Sequence, residues 1–171
     1  MLRTFARTLF RRLYRQVVAR RSTDFVVGAD SPGGAYLRRW WLIPRNRVFN
    51  IYLHQFLRDD DDRALHDHPW CWLSFLLDGA YIEHTIAAGG VHHRRRREAG
   101  SLKISGPRRA HRIELVRLTG SPATTMECWT VFITGPRLRD WTFHCPERGQ
   151  VPWQRFTAEG KPGEIGPGCD A

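Results

Sequence analysis

From Tyr36 onward the chain is a succession of short runs rich in Val, Ile, Tyr, Phe and Trp, each cut off by turn-forming residues. The runs cover 36–43, 47–57, 70–77, 80–87, 102–105, 111–118 and 127–134. Between them lie Pro44-Arg45-Asn46, Asp78-Gly79, Gly89-Gly90, Gly106-Pro107, Gly120-Ser121-Pro122 and Gly135-Pro136. β-Branched and aromatic side chains suit a pleated, half-buried surface, and Gly and Pro punctuate it. Many short strands at this spacing predict an all-β sandwich or barrel. The chain has 171 residues and no internal break in composition, so a single barrel domain is expected over 24–157. The tail over 158–171 is rich in Gly and Pro and is expected to be loose. Hydrophobic residues at 42% and charged residues at 26% exclude wholesale disorder. No apolar stretch approaches the roughly 18 residues of a spanning helix.

The net charge of +10 is concentrated at one end. Residues 1–23 carry seven Arg and no acid, whereas the remaining 148 residues hold 20 basic and 17 acidic groups. In that head Leu2, Phe5, Leu9, Leu13 and Val17 recur at steps of three and four, with Ala6, Phe10 and Val18 beside them. Arg3, Arg7, Arg11 and Arg15 line another face. The pattern predicts a basic amphipathic helix. Three readings stay open: a surface helix docked on the barrel, residues 1–21 lying on an anionic membrane surface, or an organellar targeting head. The expected location is cytoplasmic, membrane-peripheral under the second reading.

A second basic run, His92-His93-Arg94-Arg95-Arg96-Arg97, reads as a solvated face. No aromatic interleaving or nucleic-acid motif accompanies it, so nucleic acid is not favoured as a partner. Asp59-Asp60-Asp61-Asp62 reads as a solvated acidic loop, with cation attraction as the alternative. The four cysteines show no CxxC pair, and reduced thiols are the default expectation, although an even count leaves disulfides open. No GxSxG, Walker A or GxGxxG context supports a serine hydrolase or a nucleotide site.

The chemistry-bearing segment is Leu65-His66-Asp67-His68-Pro69-Trp70. In an extended chain His66 and His68 share a face, because side chains alternate with period two. Two such imidazoles can converge on one metal ion, and His111, opening a later strand-like run, offers a third ligand. Alternatively, the two histidines cap a strand and hydrogen-bond locally.

These residues and their glycines resemble the motifs of the cupin superfamily, a double-stranded β-helix or jelly-roll barrel. His66 and His68 fit the HxH of the first motif and Gly79 its closing glycine. Gly100 and His111 hold the eleven-residue separation of the second. The longer stretch from His66 to Thr85 also resembles bacterial and phage cupin-like proteins. The chain departs from the pattern in four ways. Trp72 stands where the first motif has its Glu, Pro107 is displaced by one position in the second, Arg108 replaces an inner Gly, and Leu115 replaces the final Asn. The resemblance therefore implies a three-histidine site of His66, His68 and His111, with Glu83 from the next strand near the pocket or as an added ligand.

What the resemblance implies about function is a metal-dependent enzyme acting on a small molecule, with a non-haem iron dioxygenase or related oxidoreductase favoured. The ion would be Fe(II), with Zn, Mn or Ni as alternatives. Glu83 and Tyr81 would serve proton transfer or substrate orientation. By their own positions His54, Trp70, Trp72 and Arg109 are candidate substrate contacts, Arg109 as a guanidinium for a carboxylate or phosphate, while a satisfied barrel histidine at 54 and core packing at 70 and 72 are the alternatives. Because 25 of the 27 basic residues are Arg, any one Arg is a weak signal. Trp129, Trp141 and Trp153 read as packing residues. The rival functions are a non-catalytic binding module for a sugar or other small ligand, and a membrane-surface or interaction protein using its head helix. A homodimer is expected from the exposed edges of a jelly roll.

Overall fold

The computed structural model describes residues 1–31, 33–60, 64–118, 121–159 and 164–170, with 121–124 described by backbone alone. Helix α1 (Leu2–Leu13) runs into a π-helical turn at Tyr14–Val18. The strands that follow are β1 (Phe25–Val27), β2 (Leu37–Trp41), β3 (Asn50–Phe56), β4 (Leu65–His66), β5 (Trp72–Asp78), β6 (Ala80–Ile86) and β7 (His92–Glu98). Then come β8 (Leu102–Ser105), β9 (Arg112–Leu115), β10 (Arg117–Leu118), β11 (Ser121–Thr125), β12 (Cys128–Thr134), β13 (Thr142–Cys145) and β14 (Gly149–Pro152). A short helix, α2 (Trp153–Phe156), closes the barrel segment.

One wall is a six-stranded antiparallel sheet in the order β1-β2-β3-β12-β5-β8. The other wall comprises two three-stranded pieces, β7-β6-β9 and β14-β13-β4. They meet where His66 and His111 exchange backbone N–H···O=C bonds, both 2.9 Å. The candidate metal residues thus sit at the seam of the second wall, facing the first. Between the walls pack Leu37, Phe56, Leu76 and Cys128 from one side and Tyr81, Ile113 and Leu115 from the other.

At β3 the six-stranded sheet is covered on both faces, which explains the unbroken burial of Tyr52 to Phe56. Tyr52, His54 and Phe56 point inward by strand alternation. Leu53 faces the other way and packs with Trp40, Leu77 and Trp129 under Leu9, Phe10, Leu13, Val17 and Val18. The Phe10 ring lies 5.2 Å from that of Trp129. The apolar stripe of α1 is therefore occupied by the barrel, while Leu2 and Phe5 stay exposed. Both motif glycines serve close backbone approach. Gly79 (φ +81°) would place a Cβ 2.2 Å from the Glu127 carbonyl oxygen, and Gly100 (φ +93°) one 2.9 Å from the Arg3 amide nitrogen.

Several expectations change. The basic run is a true strand, β7, solvated as expected except at Arg97, which turns inward. Asp60 is buried and Asp59 half-buried. Asp60 accepts the Ile113 amide and Asp59 the Leu115 amide, both at 2.6 Å, so they hold β9 from its outer edge. Asp61 and Asp62 lie outside the described residues, as do Gly120 and the tail's Gly160, Lys161, Pro162 and Gly163. The rest of the tail is tied down. Cys169 is disulfide-bonded to Cys145, which corrects the default of four thiols, and the Glu164 carboxylate accepts from Ser31 Oγ and the Asp30 amide. Cys71 and Cys128 are free.

Candidate metal centre and cavity

His66 and His111 lie directly opposite each other across the antiparallel bridge, so their side chains leave the wall on the same side. His68 reaches that side because Asp67 between them is turned into the wall. The Asp67 carboxylate is fully buried. It accepts from the Thr142 amide (2.8 Å), Thr142 Oγ1 (2.9 Å), His144 Nε2 (3.0 Å) and Arg139 Nη1 (2.7 Å). Burial alone would raise its pKa, but His144, Arg139 and Thr142 outweigh that and hold it low. Asp67 therefore ties the HxH segment to β13.

The three imidazoles face one another with ring centroids 5.0–5.2 Å apart. One ring nitrogen from each lies within 4.8 Å of the others. The Nε2 atoms of His68 and His111 are 2.9 Å apart. That spacing is compatible with two ligands at roughly 2.1 Å from one ion. Burial pushes the His111 ring down to about 4, with Glu83 opposing and His66 and Lys103 adding to the fall. His68 is also driven well below its ordinary value by burial, then by His111 and His66. Both rings are neutral near pH 7, the form that binds Zn, Cu, Fe and Ni. The donor set fits a transition-metal ion.

Glu83 stands behind His111 rather than on the cavity wall. Its Oε1 is 3.2 Å from His111 Nδ1, on the far side of the ring from Nε2, and the two groups are not aligned as a good hydrogen bond. Lys103 Nζ bridges to Oε1, and Arg97 donates to Oε2 through Nη2 (2.9 Å) and Nε (3.1 Å). Burial would raise this carboxyl, but His111 and Lys103 hold it far below the usual carboxylate range. A carboxylate so clamped is a poor proton acceptor. The structure thus places Glu83, expected as an added ligand or general base, beside His111 Nδ1 and away from the cavity wall.

In front of the triad lies a cavity of about 300 Å³. Trp72 forms part of its wall, stacked on His111 at 5.1 Å and 5.3 Å from His68, with Lys103 Nζ 4.7 Å from its ring. Trp72 thus gives this side of the triad an aromatic wall. Trp70 and Tyr81 also line the cavity. Burial raises the Tyr81 phenol well above its ordinary value, so it can donate a hydrogen bond but not act as a base near neutrality. His54 lines the cavity too, stacked on Phe132 at 5.1 Å and accepting from Arg39 Nε at 2.8 Å. Arg109 does not. It sits exposed in the turn after β8, its amide bonded to the Gly106 carbonyl, because that turn carries it outward.

Sequence reasoning missed Arg39, Lys103, Asp67 and Trp141. Trp141, read as packing, lies 6.1 Å from His66 and lines the cavity. The available signal for Lys103 was composition, since it is one of only two Lys in an Arg-rich chain.

No protein-family model matches the chain, and no curated protein does. Solved structures do resemble it. A cupin superfamily protein from Desulfitobacterium hafniense has 11% identity and a TM-score of 0.43, covering 58% of this chain and 77% of its own. A Klebsiella pneumoniae protein with a double-stranded β-helix domain has 15% identity and a TM-score of 0.42, covering 61% and 81%. The Fe(II) form of HppE has 13% identity and a TM-score of 0.49, and this chain spans 55% of its length while 64% of this chain is covered. By its own topology, two antiparallel walls wound around one cavity, the chain has the cupin-like jelly-roll fold, the double-stranded β-helix.

Proposed function

We propose that this protein is a metal-dependent enzyme acting on a small molecule in the barrel cavity, with His66, His68 and His111 holding the ion. The observation that carries this reading is the convergence of three imidazoles, two of them held neutral by burial, at the wall of a cavity. Three protein ligands leave coordination positions open, as catalytic sites do. When bound, such an ion supplies Lewis-acid polarisation of a substrate oxygen or, as iron, redox chemistry with dioxygen. The favoured reaction class is a non-haem Fe(II) dioxygenase.

The chain's own residues have separate tasks. Glu83 orients the His111 ring through Nδ1, leaving Nε2 toward the cavity. Lys103 and Arg97 fix Glu83 in turn, and Asp67 fixes the HxH segment. Trp72 and Trp141 exclude water from either side of the triad, and neutral Tyr81 can donate a hydrogen bond to a bound molecule. The test is oxygen consumption by Fe(II)-reconstituted protein with a panel of thiols and small carboxylic acids. Turnover that is absent from His66→Ala supports the reading. Stoichiometric metal with no turnover on any member of the panel would favour a binding module instead.

A further inference from the structure

The triad accounts for one end of the cavity. The other end holds a guanidinium that pairs with no carboxylate among the described residues. Arg39, on β2, faces His54 across the strand pair. Its Nε donates to His54 Nε2, and its charged carbon lies 4.8 Å from the Tyr52 ring centroid and 5.9 Å from that of Phe25. Among the described residues no carboxylate pairs with it. The two acids on the cavity wall are engaged elsewhere, Asp60 by the Ile113 amide and Glu164 by Ser31 and the Asp30 amide. His54 is neutral, driven well below its ordinary value by burial and then by Arg39 itself, so it adds no competing charge. Arg39 is half-buried, and a cation partly withdrawn from water is costly unless something pairs with it.

The rest of the wall is rich in donors as well. The indole N–H groups of Trp70 and Trp72 and the Thr130 hydroxyl are buried and find no partner among the described residues, and all three side chains line the cavity. Buried polar groups are normally satisfied, so orphans gathered around one cavity point to a ligand rich in acceptors. Arg39 also limits the shape of that ligand. Its Nε is taken by His54, which leaves the two Nη groups at the end of the fork. That edge presents two parallel N–H donors, the match for the two oxygens of a carboxylate. The distance from this edge to the triad is short. The Phe132 ring lies 5.1 Å from that of His54 and 5.8 Å from that of His68.

The geometry points to Arg39, held by His54 and Tyr52, as an anion subsite that binds a small, apolar-bodied carboxylic acid with its far end toward the three histidines. This deepens the proposed function and rests on it only for what happens at the far end. Arg39 takes the anion-binding role that the sequence suggested for Arg109.

The test is calorimetric binding of phenylacetate, its neutral analogue phenylacetamide and inorganic phosphate, to protein stripped of metal by a chelator and to reconstituted protein. Phenylacetate should bind at least about tenfold tighter than the amide in both forms, the size expected for a charge-assisted bidentate contact. Arg39→Gln should abolish that preference, and Arg39→Lys, which keeps the charge but loses the fork, should retain part of it. Thermal unfolding of each variant checks that it folds, and the acid-against-amide comparison on the unaltered protein needs no variant. Equal binding of acid and amide, tighter binding of phosphate, or no binding of phenylacetate at millimolar concentration would overturn the assignment. So would an acid preference that requires metal and survives Arg39→Gln, since the anion would then sit on the ion. A chain that binds no metal but keeps the acid preference would defeat the proposed enzyme and leave this subsite standing.

Discussion

His66 and His111 are paired by two reciprocal backbone hydrogen bonds of 2.9 Å, which makes their imidazoles neighbours before either side chain chooses a rotamer. The proposed ligand set is therefore built into strand pairing. The bridge that joins the two pieces of the second wall also fixes the separation of two of the candidate ligands. The third, His68, depends on a different device, the buried anchor of Asp67.

That dependence can be measured. Asp67→Asn keeps the shape of the side chain but removes the charge that Arg139 and His144 share. Breaking a fully buried pair costs about 3–5 kcal/mol. Arg139 is partly exposed here, so about 2 kcal/mol is expected in denaturant unfolding. Metal affinity should fall as well, because the segment carrying His66 and His68 loses its tie to β13.

Glu83→Gln separates orientation from proton transfer. Outer partners of metal-ligating histidines are worth roughly 10–100-fold in metal affinity. A loss of this size is expected in the variant, with stability falling too, because Lys103 and Arg97 are left facing a neutral amide. If Glu83 were instead a general base, the variant would bind metal normally and lose turnover alone.

The buried histidines give stability a predictable pH dependence. His111 titrates at about 4 in the folded chain against an ordinary value of about 6.5. Between these values the unfolded chain binds more protons, so stability falls as pH drops through that window. His68 acts in the same direction. Glu83, held low, adds a further loss only at more acid pH, where its carboxylate is protonated on unfolding. Denaturant midpoints of the metal-free protein should decline from about pH 6.5 toward about pH 4. The decline should be shallower in His111→Asn.

The disulfide predicts a thiol count. Under denaturing conditions without reductant, two thiols should react, those of Cys71 and Cys128. Reduction should cost about 3 kcal/mol, the usual worth of closing a loop of this length, and should free the tail that carries Glu164. Four reactive thiols in the unreduced protein would contradict the pairing.

Much of the fold was legible because alternation and turn signals agree in β3, β5, β6, β8 and β12. The strands that escaped notice lack that agreement. β7 is a run of His and Arg whose outward residues hide its inward Arg97, and β13 and β14 owe their burial to the packing of Phe143, Cys145 and Val151 with Phe156 and Ala64 rather than to pattern. The triad was legible because HxH and His111 sit in register with two glycines that geometry demands. Arg39 was not, since one inward Arg among 25 carries no mark in sequence, and only the pairing of β2 with β3 sets it opposite His54. Arg109 was the natural choice by proximity along the chain to His111, but the turn it occupies points outward.

Whether the three histidines form one metal site is read most directly from the metal content of protein purified without chelator and reconstituted with Fe(II), Zn(II) or Mn(II), compared with His66→Ala and His111→Ala. Close to one ion per chain is expected, lost in both variants. Absence of near-stoichiometric metal, or the same content in the variants, would rule out a three-histidine site.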